Sequence, residues 1–175
     1  AGRGITAVQE LESFFFPSLD QLHDPFELKE MDRAVDRVLQ AVRNGEKVAC
    51  HGDFDVDGLT GCALLYETLT NLQVDGSRLR VEPGFIPDRA TDGYGVAERM
   101  VRKWGHAGVT LLLTVDTGAA AMKEINLAGD LGMDVVVLDH HIFDERPAAV
   151  ALVNPRRDSP TYPNNELCGV AVAFK

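Results

Sequence analysis

The sequence predicts an α/β domain, a doubly wound, mainly parallel sheet flanked by helices. Three observations carry this expectation. Short apolar runs alternate with helix-spaced apolar patterns along most of the chain. Some runs, Val135-Val136-Val137 among them, are continuous and β-branched, as in strands buried on both faces. At 175 residues, 45% hydrophobic and 25% charged, the chain is long enough to close one core of one domain.

Residues 1–25 read as a leader: Phe14-Phe15-Phe16 mixed with Pro17, Asp20, Asp24 and Pro25 suits an irregular segment laid over a core, and it is given no chemistry. The domain proper is residues 26–175. From Phe26 to Val42 the apolar positions Leu28, Met31, Ala34, Val35, Val38, Leu39 and Val42 recur at helical spacing, and Asn44-Gly45 supplies a stop. The periodicity makes this an amphipathic packing helix. Strands are expected over Lys47–Cys50, Leu79–Pro83, Val109–Val115, Val135–Leu138 and Ala149–Val153. Helices are expected over Leu59–Leu72, Val96–Trp104 and Ala119–Leu131, the last two ending at Gly105 and Gly132.

Composition excludes several classes. No apolar run approaches the ~20 residues that cross a bilayer, and the N-terminus lacks a basic-then-apolar signal, so a soluble, cytoplasmic protein with no membrane partner is expected. Cys50, Cys62 and Cys168 are odd in number, widely spaced and set in apolar stretches, which implies packing residues rather than a disulfide framework or zinc ribbon. Gly93-x-Gly95 is no dinucleotide fingerprint, because Glu98 takes the third glycine position and no strand directly precedes it. The net charge of −10 runs against a polymer grip made of Lys and Arg. Either the acidity keeps the domain dispersed, or some carboxylates bind cations while a separate domain holds the polymer.

In open α/β sheets, ligands bind beyond the carboxyl ends of the strands. His51-Gly52-Asp53-Phe54-Asp55-Val56-Asp57-Gly58 follows the first predicted strand, Asp116-Thr117-Gly118 the third, and Asp139-His140-His141 the fourth. Each has an innocent reading taken alone: Asp57-Gly58 as a turn and helix cap, Asp116-Thr117-Gly118 as a strand-to-helix turn, the His pair as inert surface. Their joint placement just past strands favours chemistry. Carboxylates gathered at one edge repel one another unless cations or protons neutralise them. An Asp/His set without thiolate suits Mn²⁺ or Mg²⁺. The ligand count matches two ions, which together stabilise the oxygens of an in-line phosphoryl displacement.

These motifs, His51-x-Asp53-x-Asp55-x-Asp57-Gly58, Asp116-x-Gly118 and Asp139-His140-His141, resemble the first three motifs of the DHH phosphoesterases. Asp92-Gly93-Tyr94-Gly95-Val96 and the tail Leu167 to Lys175 resemble segments of the RecJ-type single-strand-specific exonucleases within that superfamily. The likeness spans the chain from the first predicted helix onward. It implies a 5′-to-3′ exonuclease acting on single-stranded DNA in repair and recombination, with a single-strand-binding protein and a recombination helicase as partners. Cleavage of short oligoribonucleotides or cyclic dinucleotides, and a non-catalytic scaffold, are the rival readings.

The resemblance also implies roles. One metal falls to His51, Asp55 and Asp116; the other to Asp57, His140 and the same Asp116 as a bridge. His141 faces a substrate phosphate and Asp139 orients the histidine pair. Asp53 fits either support of the ligands or bonds to its own turn. In the polar segment from Pro87 to Gly95, Arg89 meets a phosphate and Tyr94 stacks on a base, unless the glycines only permit a turn and the arginine is solvated. Thr117 stands where Asn is common in RecJ relatives. The family's fourth acidic motif and second domain do not fall within these residues, and Asp144, Asp158 and Glu166 do not supply that motif, so the isolated 175 residues are expected to be weakly active or inactive.

Overall fold

The computed structural model describes residues 4–157 and 162–175. Asp158 and the first three residues of the predicted leader lie outside the described residues.

Five strands form a sheet in which every pairing is parallel: β1 (Lys47–Gly52), β4 (Arg80–Val81), β5 (Leu111–Val115), β6 (Asp134–Leu138) and β7 (Ala151–Val153), in the order β4-β1-β5-β6-β7. Strand side chains alternate between faces with a period of two, and because both faces are covered, both sets are apolar. Val48, Cys50, Leu113, Val115, Val136 and Leu138 enter one core with α2 (Met31–Arg43), α3 (Val56–Asn71) and α6 (Gly169–Phe174). Ala49, Leu112, Val135, Val137 and Leu152 enter the other with α4 (Glu98–His106) and α5 (Met122–Asp130). Continuous apolar strands, rather than alternating ones, are the direct result. After β1 the chain goes to β4 on one side, then returns to β5 on the other. The loops leaving β1 and β5 therefore diverge and open a crevice at the carboxyl edge.

Where the structure departs from expectation, specific hydrogen bonds and turns account for it. The leader is not irregular: α1 (Val8–Phe15) is helical, its start held by Glu10 Oε2 accepting from the Thr6 and Ala7 N–H groups at 2.8 and 3.0 Å. Nor does it lie over the core, since no residue of α1 is buried and Phe15 is 63% exposed. The predicted helix from Phe26 begins only at Met31. A 3₁₀ turn over Pro25–Glu27, capped by Asp24, precedes it, and Glu30 interrupts with a left-handed backbone at φ 64°. Glu30 is held there by Arg146 at 2.9 Å, Arg157 at 2.7 Å and the Leu152 N–H at 2.8 Å, which tie the start of α2 to β7. Burial alone would raise its carboxyl, but these three partners outweigh it and hold the group at about 2.

The strand predicted over Leu79–Pro83 is shorter, and a hairpin of β2 (Gln73–Val74) and β3 (Ser77–Arg78) precedes it, turning on Asp75 and Gly76, both at positive φ. Cys50 and Cys62 pack inside as expected, whereas Cys168, the N-cap of α6, is exposed. Among the described residues, no helix is long and apolar enough to cross a membrane.

Candidate metal centre

The crevice collects side chains from the ends of three neighbouring strands. The turn after β1 folds back tightly: a Cβ on Gly58 would lie 2.3 Å from the Asp53 nitrogen, and one on Gly52 would lie 2.2 Å from the Gly58 oxygen. Glycine at both positions is what lets Asp53, Asp55 and Asp57 crowd one short loop. Asp55 caps α3 by accepting from the Gly58 N–H at 3.0 Å, the bond that does most to hold its carboxyl below the usual range. Asp57, two residues on, receives the Gly169 N–H on Oδ2 at 2.6 Å and the Val170 N–H on Oδ1 at 2.7 Å, the first amides of α6.

His51 is fully buried between Phe85 and Trp104, with ring centroids 5.4 and 6.1 Å away. Its Nε2 accepts from the Ala97 N–H at 3.0 Å, its Nδ1 is buried without a partner, and burial lowers its pKa to about 4, so the ring is neutral.

Asp116 occupies the centre. It adopts a left-handed backbone at φ 60° and is 2% exposed. Asp tolerates that conformation better than most residues. Oδ1 lies 3.0 Å from His140 Nε2, while Oδ2 is buried with no partner. Burial, then the charges of Asp57 and Asp55, push its carboxyl up to about 8. Burial is the larger cause, and the like-charge repulsion added to it is what a cluster built around cations shows.

From β6, Asp139 is 1% exposed and saturated with donors: the Ala119 N–H at 2.9 Å, the His140 and His141 N–H groups at 2.7 and 3.1 Å, and His141 Nδ1 at 2.8 Å. Burial would raise Asp139, but these bonds, led by His141, keep it low. The same contact raises His141 to about 9. The bond fixes the His141 ring by Nδ1, and the side chain remains 55% exposed at the crevice.

Donor atoms converge in two triplets, Asp116 with His140 and His141, and Asp53 with Asp55 and Asp116, each set lying within 4.8 Å of one another. Asp116 belongs to both. Of the residues singled out from sequence, four thus gather around it: Asp53, Asp55, His140 and His141. Asp57 and His51 fall outside both triplets; His140 Nε2 is 3.7 Å from Asp57 Oδ2. Arg89 is exposed, and its guanidinium lies over the rings of Phe54 and Tyr94, at 5.3 and 5.1 Å from their centroids, and donates to the Tyr94 hydroxyl. Tyr94 and Gly95 line a cleft of about 460 Å³ with Asp53, Asp116, Asp139 and His141.

Sequence reasoning missed two supports. Asn154, after β7, is 2% exposed and donates to the His141 carbonyl at 2.9 Å; a lone Asn after a strand carries no distinguishing pattern. Gly169 packs against Asp116 so closely that a Cβ there would sit 2.5 Å from the Asp116 Cβ. Its signal was a glycine at the start of the tail helix. Gly169→Ala is therefore expected to displace either Asp116 or α6 and weaken Mn²⁺ binding by on the order of 10- to 100-fold, measured by calorimetric titration, while far-ultraviolet dichroism stays unchanged. Wild-type affinity in this variant would show that α6 has room to give.

Comparison with known proteins agrees with this geometry. The model of the DHH family, N-terminal domain, matches residues 47–175. The single-stranded-DNA-specific exonuclease RecJ of Bacillus subtilis (strain 168) is 40% identical over 176 residues, covering 99% of this chain and 21% of the relative. Its counterpart in Escherichia coli (strain K12) is 34% identical over 175 residues, covering 99% of this chain and 29% of the relative. A crystal structure of exonuclease RecJ bound to manganese superimposes with a TM-score of 0.75 at 33% identity, covering 87% of this chain and 37% of that one. The chain thus spans between a fifth and a third of the length of these curated relatives.

Proposed function

This chain belongs to the DHH family, and from that premise we propose that residues 26–175 form the metal-holding domain of a larger phosphodiester-cleaving enzyme, a 5′-to-3′ exonuclease specific for single-stranded DNA. Residues 1–25 are its leader, and a second domain closes over the substrate. The observation that carries the reading is Asp116: a buried carboxylate with one oxygen unpartnered, shared by two donor triplets.

The residues fit Mn²⁺ or Mg²⁺. Hard oxygen and imidazole donors predominate, and Asp53 Oδ1, Asp116 Oδ2 and His51 Nδ1 are buried polar atoms lacking a partner within the protein. His51, Asp55, Asp57, Asp116 and His140 would hold the ions, Asp116 being common to both donor triplets, and the first triplet makes His141 a further candidate. Asp53 stands beside Asp55 and Asp116 and supports them. Bound ions supply Lewis acidity toward phosphoester oxygens and lower the pKa of water. The protein's own part is positioning. Asp139 pins the His141 imidazole by Nδ1, Asn154 holds the His141 backbone, and the rest of the ring is left to meet a substrate phosphate. Tyr94 offers a ring at the cleft for base stacking. Arg89, resting on Phe54 and Tyr94, keeps that ring in place and presents a cation beside it.

A cytoplasmic place in DNA repair and recombination, beside a single-strand-binding protein and a recombination helicase, follows from this reading. The test offers the complete protein 5′-labelled single-stranded DNA, duplex DNA, short RNA and cyclic dinucleotides with Mn²⁺. Mononucleotide release from long single-stranded DNA, at least about tenfold faster than from the other substrates, is expected. Preference for short RNA or cyclic dinucleotides transfers the assignment to the rival phosphodiesterases, and no cleavage of any substrate favours a scaffold.

A further inference from the structure

Glu30 turns its side chain away from its own helix. As the N-cap of α2 it stands where a side chain ordinarily accepts from the first helical amides, yet it makes no such bond. Oε2 instead accepts from Arg146 Nη2 at 2.9 Å and from the Leu152 N–H at 2.8 Å, and Oε1 from Arg157 Nη1 at 2.7 Å. These donors lie 116 to 127 residues further along the chain. The left-handed backbone at Glu30 is a strain that persists only where surrounding contacts fix it. We propose that Glu30 is a positioning residue for His141: it clamps the segment from β7 to Arg157, and that segment holds the His141 main chain through Asn154. The proposal rests on the reading of His141 as the group that meets the substrate phosphate.

The path runs bond by bond. Arg157 Nη1 donates to the Leu152 carbonyl at 3.2 Å as well as to Glu30, so one guanidinium joins the strand to the turn beyond it. That turn is Asn154-Pro155-Arg156-Arg157, closed by the Arg157 N–H on the Asn154 carbonyl at 3.2 Å, and Asn in first place with Pro in second favours it. The Arg156 N–H donates to Asn154 Oδ1 at 2.9 Å, which leaves the Asn154 amide nitrogen to donate to the His141 carbonyl at 2.9 Å. His141 is thereby held on both sides of its backbone, since Asp139 Oδ1 accepts its N–H at 3.1 Å.

Arg146 secures the loop that leaves His141. It donates to the Pro147 and Ala149 carbonyls at 2.9 and 3.0 Å while bonded to Glu30, and so folds that loop back onto the start of α2. Both arginine side chains are partly withdrawn from water, Arg157 at 11% and Arg146 at 33% exposure. Neutralising Glu30 would leave their two like charges facing each other without compensation. The repulsion would fall on the turn that carries Asn154 and on the loop that begins at His141.

The experiment compares the complete protein with its Glu30→Gln variant, which keeps the side chain's size and removes its charge. In the metal-free state, hydrogen exchange at the His141 amide is expected to speed about tenfold, while the β5 amides keep their rates. With Mn²⁺ and single-stranded DNA, kcat is expected to fall about tenfold at a KM within about twofold of the unaltered protein. In an Asn154→Ala background the same substitution should lower kcat by less than about twofold, because the path through Asn154 is already cut. Arg157→Leu carries the same expectations should Glu30→Gln not fold. Unchanged exchange at His141, faster exchange across β5 as well, or a loss of kcat that persists in full without Asn154 would overturn the positioning role. Exchange is independent of turnover: a protein that cleaves no nucleic acid refutes the proposed function, and the His141 amide still decides the clamp.

Discussion

Asp116→Asn in the complete protein is expected to lower the proposed phosphodiester cleavage by on the order of 10³-fold or more, to abolish tight Mn²⁺ binding, and to make the metal-free protein more stable. Asparagine is the informative replacement because position 116 has a left-handed backbone, which Asn accepts and Ala does not without strain. The side chain keeps its size and can still meet His140, but it no longer offers an anionic oxygen to both donor triplets. Stability rises because the native carboxylate is buried and repelled by Asp57 and Asp55. Catalysis and stability therefore move in opposite directions, as expected where a site is built for an absent charge. Calorimetric Mn²⁺ titration and melts in chelator check both halves. A variant that still binds Mn²⁺ as tightly as wild type would falsify the central role of Asp116.

The second large effect is in pH. Folded Asp116 holds its proton up to about 8, whereas the unfolded carboxyl releases it near 3.8. Between those values the folded state binds more protons, so stability falls as pH rises. For this buried group, carrying the pKa from 3.8 to about 8 corresponds to on the order of 5 kcal/mol. His141 adds in the same direction: its pKa is raised to about 9, so its contribution is fully present below 6.5 and is lost as pH rises through 9. Asp55 and Asp139, both lowered, lose their contribution only below the ordinary carboxylate range and leave this window alone. His51, lowered to about 4, acts the other way between about 4 and 6.5 and offsets Asp116 there, so metal-free protein should show a urea midpoint that changes little from pH 5 to 6.5 and declines from pH 6.5 to 8. Saturating Mn²⁺ should reverse the slope, because the ion competes with protons for the same oxygens. Parallel slopes with and without Mn²⁺ would mean that the cluster holds no ion.

Much of this was legible in the residues. The strands announced themselves because a sheet covered on both faces favours apolar side chains at successive positions, which Leu111 to Leu113 and Val135 to Leu138 provide. The site was legible because strand ends in such a sheet share an edge, so acids following three runs had to converge. What could not be read was decided by partners far along the chain. Glu30 delays α2 because Arg146 and Arg157 capture it from more than a hundred residues away. Asp57 looked like a ligand with free oxygens, yet both accept amides from α6, and His51 turns its Nε2 to Ala97. The helix in the leader was legible too, since Val8, Leu11, Phe14 and Phe15 recur at helical spacing although none of them is buried. The Asp75-Gly76 hairpin was a missed local signal rather than a hidden one.

Cys168 sits at the crevice end of α6, in the N-cap position of the helix whose next two amides hold Asp57. Its thiol is exposed, and the other two are shut within the core. A maleimide dye added to the native protein should therefore react at this one atom. Its emission would then track in real time how ion loading in the crevice reaches the start of α6.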